Sequence, residues 1–469
     1  ISDGELMEGI LESDGYEIVD APDEADVVLV NTCAIREHAE QRVLGRVGQL
    51  GALKKDHPGM VVGVTGCMAQ RLGESLLEKG DKVDLVMGPD GYRSLPEALE
   101  KLRGAPAREG GRAAAAHDGS PHAAPARSAP ASVRGAPATP PSGKPTRQLA
   151  VLDLNLGENY QGLEQRREEG PSAWIPIQRG CDHRCTFCIV PYVRGGEKNR
   201  SAHEVLAEIR GLAESGVSDV TLLGQTVNSY VWEDWSFPDL LRAVARVDGI
   251  RRVWFSSPHP NDVTPELVEV MAAELAVCEQ LHLPAQSGAN RTLKRMLRRY
   301  TVESFLEKVD LVREAIPDIS LSTDIIVGFP GETDDEFRAT LDLMRTVRFD
   351  DAFTYRYSPR DGTPATRLPE EDFLPDEVAQ ERLEELIELR IEIQGEINRG
   401  EVGRVEEVLV EKEARGDGQI LGRTRRNKVV AFLGDPAAIG SYTRVELERT
   451  TGATFVGREV AEPTLVGER

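Results

Sequence analysis

The sequence contains few cysteines, few aromatic residues and no long apolar run. Six cysteines among 469 residues are too sparse for the disulfide framework of a small secreted protein. No apolar run approaches the roughly 20 residues that a membrane-spanning helix needs, and the N-terminus lacks the basic and apolar regions of a secretory signal. We therefore expect a cytoplasmic protein that does not enter a membrane.

The chain also lacks the net positive charge that would attract nucleic acid to the protein as a whole. Its net charge is −23, which leaves room only for a local basic face. Hydrophobic residues make up 40% and charged residues 29%, values typical of a soluble globular protein. The length suits several domains rather than one.

Residues 1–104 alternate helical patterns with short apolar strands, which predicts a parallel sheet covered by helices. Cys33 and Cys67 each end one of these strands, in DVVLVNTC and MVVGVTGC. Because the carboxyl ends of parallel strands meet at one edge of a sheet, we expect both thiols on the same rim. The alternation also requires a strand before the first helix, which we expect upstream of Ile1.

Three further regions follow. Residues 105–147 are rich in Ala, Pro, Gly and Ser without apolar periodicity, which predicts a flexible insertion, or an RNA-contacting arm because the segment is locally basic. Residues 148–400 contain six strand-then-helix repeats, typical of a partial barrel with its function on the loops after the strands. Residues 401–464 change to short alternating strands with glycine turns, which predicts a small β-barrel.

Three cysteines follow the first strand of the central repeat within eight positions: Cys181, Cys185 and Cys188. Zinc usually takes four ligands in paired knuckles, and no second pair lies nearby. Thiolates suit an iron–sulfur cluster, and three of them leave one iron free to bind a small molecule. The spacing therefore favours a 4Fe-4S cluster with an open coordination position.

Seven ordered motifs extend over nearly the whole chain: NTCAIREHAEQR, TGCMAQR, GCDHRCTFCIVPYVRGGEKNRS, LLGQTVNSY, HLPAQSGANRTLKRMLRRYT, STDIIVGFPGET and YSPRDGTPA. Together they resemble the methylthiotransferases of the radical S-adenosylmethionine (SAM) superfamily, and among these the MiaB type, which acts on tRNA. The resemblance implies an α/β fold in three parts: an N-terminal Rossmann-like parallel α/β domain (1–104), a central partial (β/α)6 radical SAM barrel (148–400) and a C-terminal small β-barrel of the TRAM type (401–464).

The resemblance also implies two 4Fe-4S clusters. One, held by Cys181, Cys185 and Cys188, would bind SAM at its open iron. The other, an auxiliary cluster, would be held by Cys33, Cys67 and a third cysteine expected upstream of Ile1. The alternative for Cys33 and Cys67 is that they are ordinary buried thiols.

The implied reaction converts N6-isopentenyl(dimethylallyl)adenosine-37 of tRNA to its 2-methylthio derivative. The auxiliary cluster would hold the sulfur, one SAM would methylate it, and a second would supply the radical that removes hydrogen from C2. Relatives suggest threonylcarbamoyladenosine-37 of tRNA or a ribosomal-protein aspartate as alternative substrates, and a non-catalytic iron–sulfur RNA-binding protein is the alternative class. The expected partners are the tRNA anticodon stem-loop and a reductant such as flavodoxin or ferredoxin, and we expect a monomer.

The resemblance places cofactor contacts on loops that follow three strands, with a turn or cap role as the alternative at each. The candidates are Gln225 and Asn228 for the methionine amino group, Gln286 and Ser287 for the ribose, and Gly328 and Glu332 near the adenine. Away from these motifs, we expect Cys278 to be a buried structural thiol and His282 to pack at a strand end.

Candidate RNA contacts come from basic residues in an otherwise acidic chain. Arg194 could orient substrate RNA or a cofactor carboxylate, with a surface ion pair as the alternative. The C-terminal run GRTRRNK predicts a phosphate-contact patch of Arg423, Arg425, Arg426 and Lys428. A further basic helix face, with a solvated surface as the alternative, comprises Arg291, Lys294, Arg295, Arg298 and Arg299.

Overall fold

The computed structural model describes residues 2–33, 37–79, 82–103, 113–117, 148–155, 157–160, 162–163, 165–167 and 170–460. The chain forms two compact units. The first comprises Ile1–Glu168, Arg179–Arg184 and Cys188–Arg200, and the second comprises Glu169–Gln178, Cys185–Phe187 and Ser201–Arg469. The segment that carries the three clustered cysteines therefore contributes residues to both units.

A five-stranded parallel sheet forms the centre of the first unit. Its strands are β1 (Val27–Thr32), β2 (Val61–Gly66), β3 (Leu85–Met87), β4 (Ala113–His117) and β5 (Leu149–Val151). Their spatial order is β4-β1-β2-β3-β5, and every neighbouring pair is parallel. Nearly every residue of β1 and every residue of β2 is buried, as continuous apolar runs require in a sheet covered on both faces.

The described residues of this unit form the helices α1 (Ser2–Ser13), α2 (Glu37–Leu53), α3 (Cys67–Leu72), α4 (Leu95–Arg103) and the four-residue α5 (Val190–Val193). Leu6, Leu50 and Leu99, from three of these helices, are buried in one apolar core with the strands. The predicted alternation of strand and helix is confirmed.

Two strands of the sheet differ from the predicted organisation. Ala113–His117 lie in the expected flexible insertion, yet they form β4 and pair with β1. Alanine has a low strand preference, so the sequence gives no strand signal at these positions. Leu149–Val151 pair with β3, so the sheet extends past the boundary predicted at residue 148. The rest of the insertion lies outside the described residues.

The strands between residues 172 and 356 are β6 (Ser172–Pro176), β7 (Gln178–Arg179), β8 (Lys198–Asn199), β9 (Asp219–Leu223), β10 (Val231–Trp232), β11 (Trp235–Ser236), β12 (Arg252–Phe255), β13 (Gln280–His282), β14 (Ser320–Val327) and β15 (Asp351–Arg356). In the second unit β6-β9-β12 and β13-β14-β15 form two parallel sheets in chain order. A parallel bridge between Val253 and Val277 lies at the step from β12 to β13. These six strands confirm the predicted partial (β/α)6 barrel.

The helices of the second unit are α6 (Ala202–Glu214), α7 (Phe237–Ala245), α8 (Pro265–Ala273), α9 (Asn290–Arg295), α10 (Val302–Ala315), α11 (Asp334–Val347) and α12 (Asp376–Glu401). Their apolar faces share one core with the strands, to which Val205, Leu241 and Phe305 contribute. Ser236, Thr301 and Thr333 form capping boxes that begin three of the helices. No helix in the described part of the chain combines the length and the apolar character required to cross a bilayer.

A closed five-stranded barrel follows α12 in the second unit. Its strands are β16 (Val405–Glu413), β17 (Gln419–Thr424), β18 (Val429–Leu433), β19 (Tyr442–Thr450) and β20 (Thr454–Glu459). They close in the order β16-β17-β18-β20-β19. Alternate residues point inward, so that Val408, Val410, Ile420 and Phe432 fill the interior. The predicted small β-barrel is confirmed.

Candidate functional site

Cys33 and Cys67 lie next to each other at the carboxyl rim of the first sheet. Thr32 pairs with Gly66 in the parallel register of β1 and β2. These two residues end their strands, and each cysteine is the residue that follows. Gly66 has φ +94°, and a side chain there would meet the carbonyl oxygen of Thr32. Glycine is therefore required for β2 to turn directly into α3 at Cys67. The prediction that both thiols share one rim is confirmed.

Arg194 contacts Cys67 within the first unit. Its Nε donates to Cys67 Sγ at 3.1 Å, and its Nη2 donates to Asp3 Oδ2 at 2.6 Å. Burial raises the pKa of the Cys67 thiol, and the nearby Arg194 opposes that shift. Because the guanidinium is mostly buried between a thiol and a carboxylate, the structure does not present Arg194 at a surface that RNA can reach. The pair with Asp3 matches the ion pair that the sequence left open as the alternative, and contact of Arg194 with RNA remains a prediction.

A buried carboxylate holds both ends of residues 179–200, which we call the cysteine loop. Arg179 donates from Nη2 to Asp90 Oδ1 at 2.7 Å, and Lys198 Nζ lies 2.9 Å from Asp90 Oδ2. The Arg179 guanidinium also lies 3.5 Å from the ring centroid of Tyr160. Because a buried charge is stable only with partners, Asp90 fixes where the loop begins and ends. Asp90 is not among the residues predicted from the sequence, since nothing in its local pattern identifies its partners.

Within the loop, Cys181 is buried, and its backbone N–H donates to the carbonyl of Gly195 at 3.2 Å. Gly180 has φ +69°, and a side chain there would overlap the carbonyl of Gly196. The two halves of the loop therefore approach each other closely only because residue 180 is glycine. Cys188 is half-buried in the same unit.

Cys185 belongs to the second unit, where the turn after α9 holds its neighbour Thr186. The N–H of Thr186 donates to the carbonyl of Met296 at 3.0 Å, and its hydroxyl donates to the carbonyl of Arg295 at 2.9 Å. Cys185 is buried, and Arg298 donates from Nη1 to its Sγ at 3.4 Å. Burial alone would lower the pKa of Arg298, and the neighbouring Tyr300 and Cys185 raise it above its usual value.

The thiols fit the cluster ligands that the sequence predicts. All six cysteines are described, and each is free of a disulfide. The donor atoms are soft sulfurs, and a buried or partly buried arginine donates to one cysteine of each predicted set.

Cys278 is buried beside β12, and burial raises the pKa of its thiol. Its environment agrees with the structural role that we expected.

Gln286 has two features of a ligand-binding residue. It adopts φ +67°, although it is not glycine, and it is held there by a backbone bridge to Ile325. Its side-chain oxygen Oε1 is buried and has no hydrogen-bond partner among the described residues. Strain and an unpaired buried polar atom together mark functional sites, which favours the predicted cofactor contact. Ser287 instead accepts a hydrogen bond from the N–H of Ala289 at 3.2 Å, which is the turn role left open by the sequence.

The Asn228 side chain is used within the fold. Its Nδ2 donates to the carbonyl of His259 at 2.9 Å, and its Oδ1 accepts from the His259 N–H at 2.7 Å. This two-way bond joins the loop after β9 to the loop after β12, so the geometry favours a turn role for Asn228 over the predicted cofactor contact. Gln225 is half-buried in the same loop, and its cofactor contact remains a prediction.

Gly328 and Glu332 bond to each other. Gly328 has φ +69°, and its N–H donates to Glu332 Oε2 at 2.8 Å. Arg382 on α12 donates to the same oxygen at 2.7 Å. Burial raises the pKa of Glu332 despite these donors. Glu332 therefore shapes the loop that follows β14, and direct contact of either residue with a cofactor remains a prediction.

The four residues of the predicted phosphate patch all face carboxylates of the second unit. Arg425 Nε lies 2.9 Å from Glu279, Arg426 Nη2 lies 2.7 Å from Glu406, and Lys428 Nζ lies 2.6 Å from Asp350. Arg423 Nε lies 2.9 Å from Glu411. Arg426 and Lys428 are buried. Three of these cations therefore bind the β-barrel to the preceding elements, and contact of the four residues with tRNA phosphate remains a prediction.

The predicted basic helix face is also largely paired. Arg291 forms an ion pair with Glu336, and Arg295 forms one with Asp372. Arg298 turns to Cys185, as described above. Lys294 and Arg299 are exposed.

His282 lies at the end of β13 and contacts the hydroxyl of Ser322, in agreement with its expected packing position.

Three regions of the chain match known family models. Residues 175–344 match the radical SAM superfamily, residues 1–88 match uncharacterized protein family UPF0004, and residues 399–458 match the TRAM domain. A radical SAM methyltransferase of solved structure, TsrM from Kitasatospora setae, matches with 17% identity and a TM-score of 0.49 over 75% of this chain and 69% of that chain. The two described family models assign a radical SAM region and a C-terminal TRAM domain to this chain.

Curated relatives match nearly the full chain. The tRNA-2-methylthio-N(6)-dimethylallyladenosine synthase of Chloroherpeton thalassium is 40% identical, covering 97% of this chain and 92% of the relative. Those of Carboxydothermus hydrogenoformans (40%, covering 97% and 95%) and Frankia casuarinae (42%, covering 94% and 75%) are similar. The chain belongs to this family of radical SAM methylthiotransferases. Membership implies a 4Fe-4S cluster and SAM as cofactors.

Proposed function

We propose that this protein converts N6-isopentenyladenosine-37 of tRNA to its 2-methylthio derivative, using two 4Fe-4S clusters. The observation that carries the two-cluster arrangement is the bond from Arg194 to Cys67. Cys181, Cys188 and Arg194 lie in the cysteine loop and belong to the same compact unit as Cys33 and Cys67. Residues of the SAM-binding motif therefore contact a proposed ligand of the auxiliary cluster directly.

Cys181, Cys185 and Cys188 would hold the SAM-binding cluster, and Cys33 and Cys67 would contribute to the auxiliary cluster. A cluster held there would bind SAM at its open iron and would pass on one electron from the reductant for cleavage of the sulfonium. The net reaction breaks the C2–H bond of adenine and forms C2–S–CH3, with a sulfur that the auxiliary cluster would donate. One SAM provides the methyl group and another accounts for removal of the hydrogen.

Several residues of this chain position the cysteines that would bind the clusters and the groups that would contact SAM. Asp90 fixes both ends of the cysteine loop, and Arg194 ties its second half to Cys67. Gln286 offers an unpaired oxygen on the loop face of the barrel, where a hydrogen-bond donor of SAM would satisfy it. The proposed partners are the tRNA anticodon stem-loop and a reductant such as flavodoxin or ferredoxin, and we propose that the enzyme acts as a cytoplasmic monomer.

Mass spectrometry of tRNA nucleosides tests the proposed substrate. Cells lacking the gene should accumulate N6-isopentenyladenosine and lose its 2-methylthio derivative. The wild-type gene should restore the product, and the Cys188→Ala variant should not. Unchanged nucleosides in the deletion strain would refute the proposed substrate. Loss of 2-methylthio-threonylcarbamoyladenosine instead would identify the alternative substrate.

Anaerobic assays separate an enzyme from a non-catalytic RNA-binding protein. The reconstituted wild-type protein should release 5′-deoxyadenosine from SAM when a reductant is added, and the Cys185→Ala variant should release none. If both proteins bind tRNA and neither cleaves SAM, the chain is a binding protein rather than an enzyme.

A further inference from the structure

The guanidinium of Arg298 is held in one orientation against the Cys185 thiol. Nη1 donates to Cys185 Sγ at 3.4 Å, Nε donates to the Tyr300 hydroxyl at 3.0 Å, and Nη2 donates to the carbonyl of Pro284 at 3.3 Å. The Tyr300 hydroxyl is itself fixed, because it donates toward the Pro284 carbonyl at 2.9 Å. All three nitrogens therefore have defined acceptors in the second unit.

Arg298 differs from its basic neighbours in the kind of group that its guanidinium contacts. Arg291 and Arg295 pair with the carboxylates of Glu336 and Asp372. In the part of the chain that the structure describes, no carboxylate forms an ion pair with Arg298. A partly buried cation without a carboxylate is costly unless another anion is present. Among the described groups that Arg298 contacts, the Cys185 sulfur would carry negative charge as a cluster ligand.

The backbone turns Arg298 toward this thiol through an unusual residue. Leu297 adopts φ +56° and is half exposed, whereas Met296 before it is fully buried. The N–H of Arg298 then donates back to the carbonyl of Leu293 at 2.9 Å, which closes the end of α9. A left-handed conformation is strained for leucine, and here it directs the next side chain inward.

We propose that Arg298 is a positioning residue for the SAM-binding cluster and raises its reduction potential through the bond to Cys185. This inference rests on the proposed cluster at Cys181, Cys185 and Cys188. Reduction adds one negative charge to a cluster and its thiolates. A fixed cation that donates to a ligand sulfur stabilises the reduced form more than the oxidised form. Without Arg298 the same cluster would be harder to reduce.

Redox titration followed by electron paramagnetic resonance tests the proposal, in protein without SAM. A Cys33→Ala/Cys67→Ala background leaves only the SAM-binding cluster to observe. Arg298→Gln should lower the equilibrium constant for one-electron reduction roughly tenfold, a shift of about 59 mV to more negative potential. Arg298→Lys should lower it by about threefold, because an ammonium cannot keep all three donor positions. Arg299→Gln is the matched control, since this neighbouring arginine is exposed, and should leave the potential unchanged.

The outcomes separate this inference from the proposed function. If the background protein binds no 4Fe-4S cluster, both are wrong. If it binds one and Arg298→Gln titrates at the potential of the background protein, only the inference is wrong. Should Arg298→Gln fail to fold or to bind iron, Arg298→Lys decides, and an unshifted potential in that variant overturns the inference.

Discussion

Arg194 and Cys67 are 127 positions apart in the chain, and the Nε of the arginine lies 3.1 Å from the sulfur of the cysteine. The same guanidinium pairs with Asp3 at 2.6 Å. One cation from the cysteine loop therefore serves both a thiol at the end of β2 and a carboxylate on α1. Removing it would leave two groups without their shared partner, which makes Arg194 the most informative residue of the loop to replace.

We expect Arg194→Gln to destabilise the protein by about 3 kcal/mol at pH 7, because it leaves the Asp3 carboxylate largely buried and unpaired. Burial alone would raise the pKa of Asp3, but Arg194 and Arg179 hold it below its usual 3.8. A folded pKa below the unfolded value adds stability above pH 3.8 that is lost as the pH falls through the folded pKa. Without Arg194 the Asp3 carboxylate should protonate at a higher pH than in wild type, so the difference in stability between wild type and variant should shrink as the pH falls from 7 toward 3.

Urea unfolding of the metal-free protein between pH 7 and pH 3 measures this effect. Arg184→Gln is the matched control, because Arg184 is exposed in the same loop and should change stability by less than about 0.5 kcal/mol. A loss of stability in Arg194→Gln that is equal at every pH would contradict the ion pair with Asp3.

Asp90→Asn should release both ends of the cysteine loop. The substitution leaves Arg179 and Lys198 facing a neutral amide, and breaking a buried ion pair costs about 3–5 kcal/mol. We expect a corresponding loss in the free energy of unfolding and a lower iron content after reconstitution, because Cys181 and Cys188 lose their fixed backbone. Urea unfolding and iron analysis measure the two effects separately.

Asp153→Asn provides the control for Asp90, since Asp153 is an exposed carboxylate of the same unit. It should match wild type in both stability and iron content. If Asp90→Asn is destabilised but binds iron at the wild-type level, Asp90 supports the sheet without positioning the cysteines.

The parts of the fold that the sequence predicts are those with strong local patterns. Cys33 and Cys67 were placed on one rim because continuous apolar strands imply a parallel sheet, and the register confirms it. Leu149–Val151 were missed because three residues are too few for a periodic signal. Ala113–His117 were missed because a run of alanines has a low strand preference.

Charge patterns predict the partners of basic residues poorly. Arg426 and Lys428 lie in a basic run, yet their carboxylates come from distant segments and only the tertiary fold brings them together. Arg298 was assigned to an exposed helix face because α9 was expected to continue. The helix ends at Arg295, and a leucine rather than a glycine makes the left-handed turn.

Lys428→Met separates a structural role from a phosphate contact. Lys428 Nζ pairs with Asp350 and donates to Asn398 at 3.0 Å. The variant should lose about 3 kcal/mol of stability, because Asp350 stays mostly buried. Its affinity for tRNA should keep the wild-type dependence on salt concentration. A residue that contacts phosphate would instead reduce the slope of log affinity against log salt by about 1.

Fluorescence titrations of labelled tRNA at several salt concentrations measure this slope, at a temperature where the variant is folded. Arg449→Gln, which removes an exposed charge from β19, controls for the change in net charge. A reduced slope of log affinity against log salt in Lys428→Met but not in Arg449→Gln would support the phosphate contact predicted from the sequence.

Leu297→Gly should stabilise the protein by about 0.5–1 kcal/mol, although it removes a large apolar side chain. Leucine at φ +56° carries about 1–2 kcal/mol of strain that glycine avoids. Glycine also increases the entropy of the unfolded chain, which offsets part of this stabilisation. Leu297 is 50% exposed, so the substitution removes only part of the packing of a buried leucine. Thermal and urea unfolding measure the change, with Leu275→Gly as the control, because Leu275 is 90% exposed without positive φ and should not gain stability. If Leu297→Gly is less stable than wild type, the leucine packs at this turn more strongly than it strains the backbone.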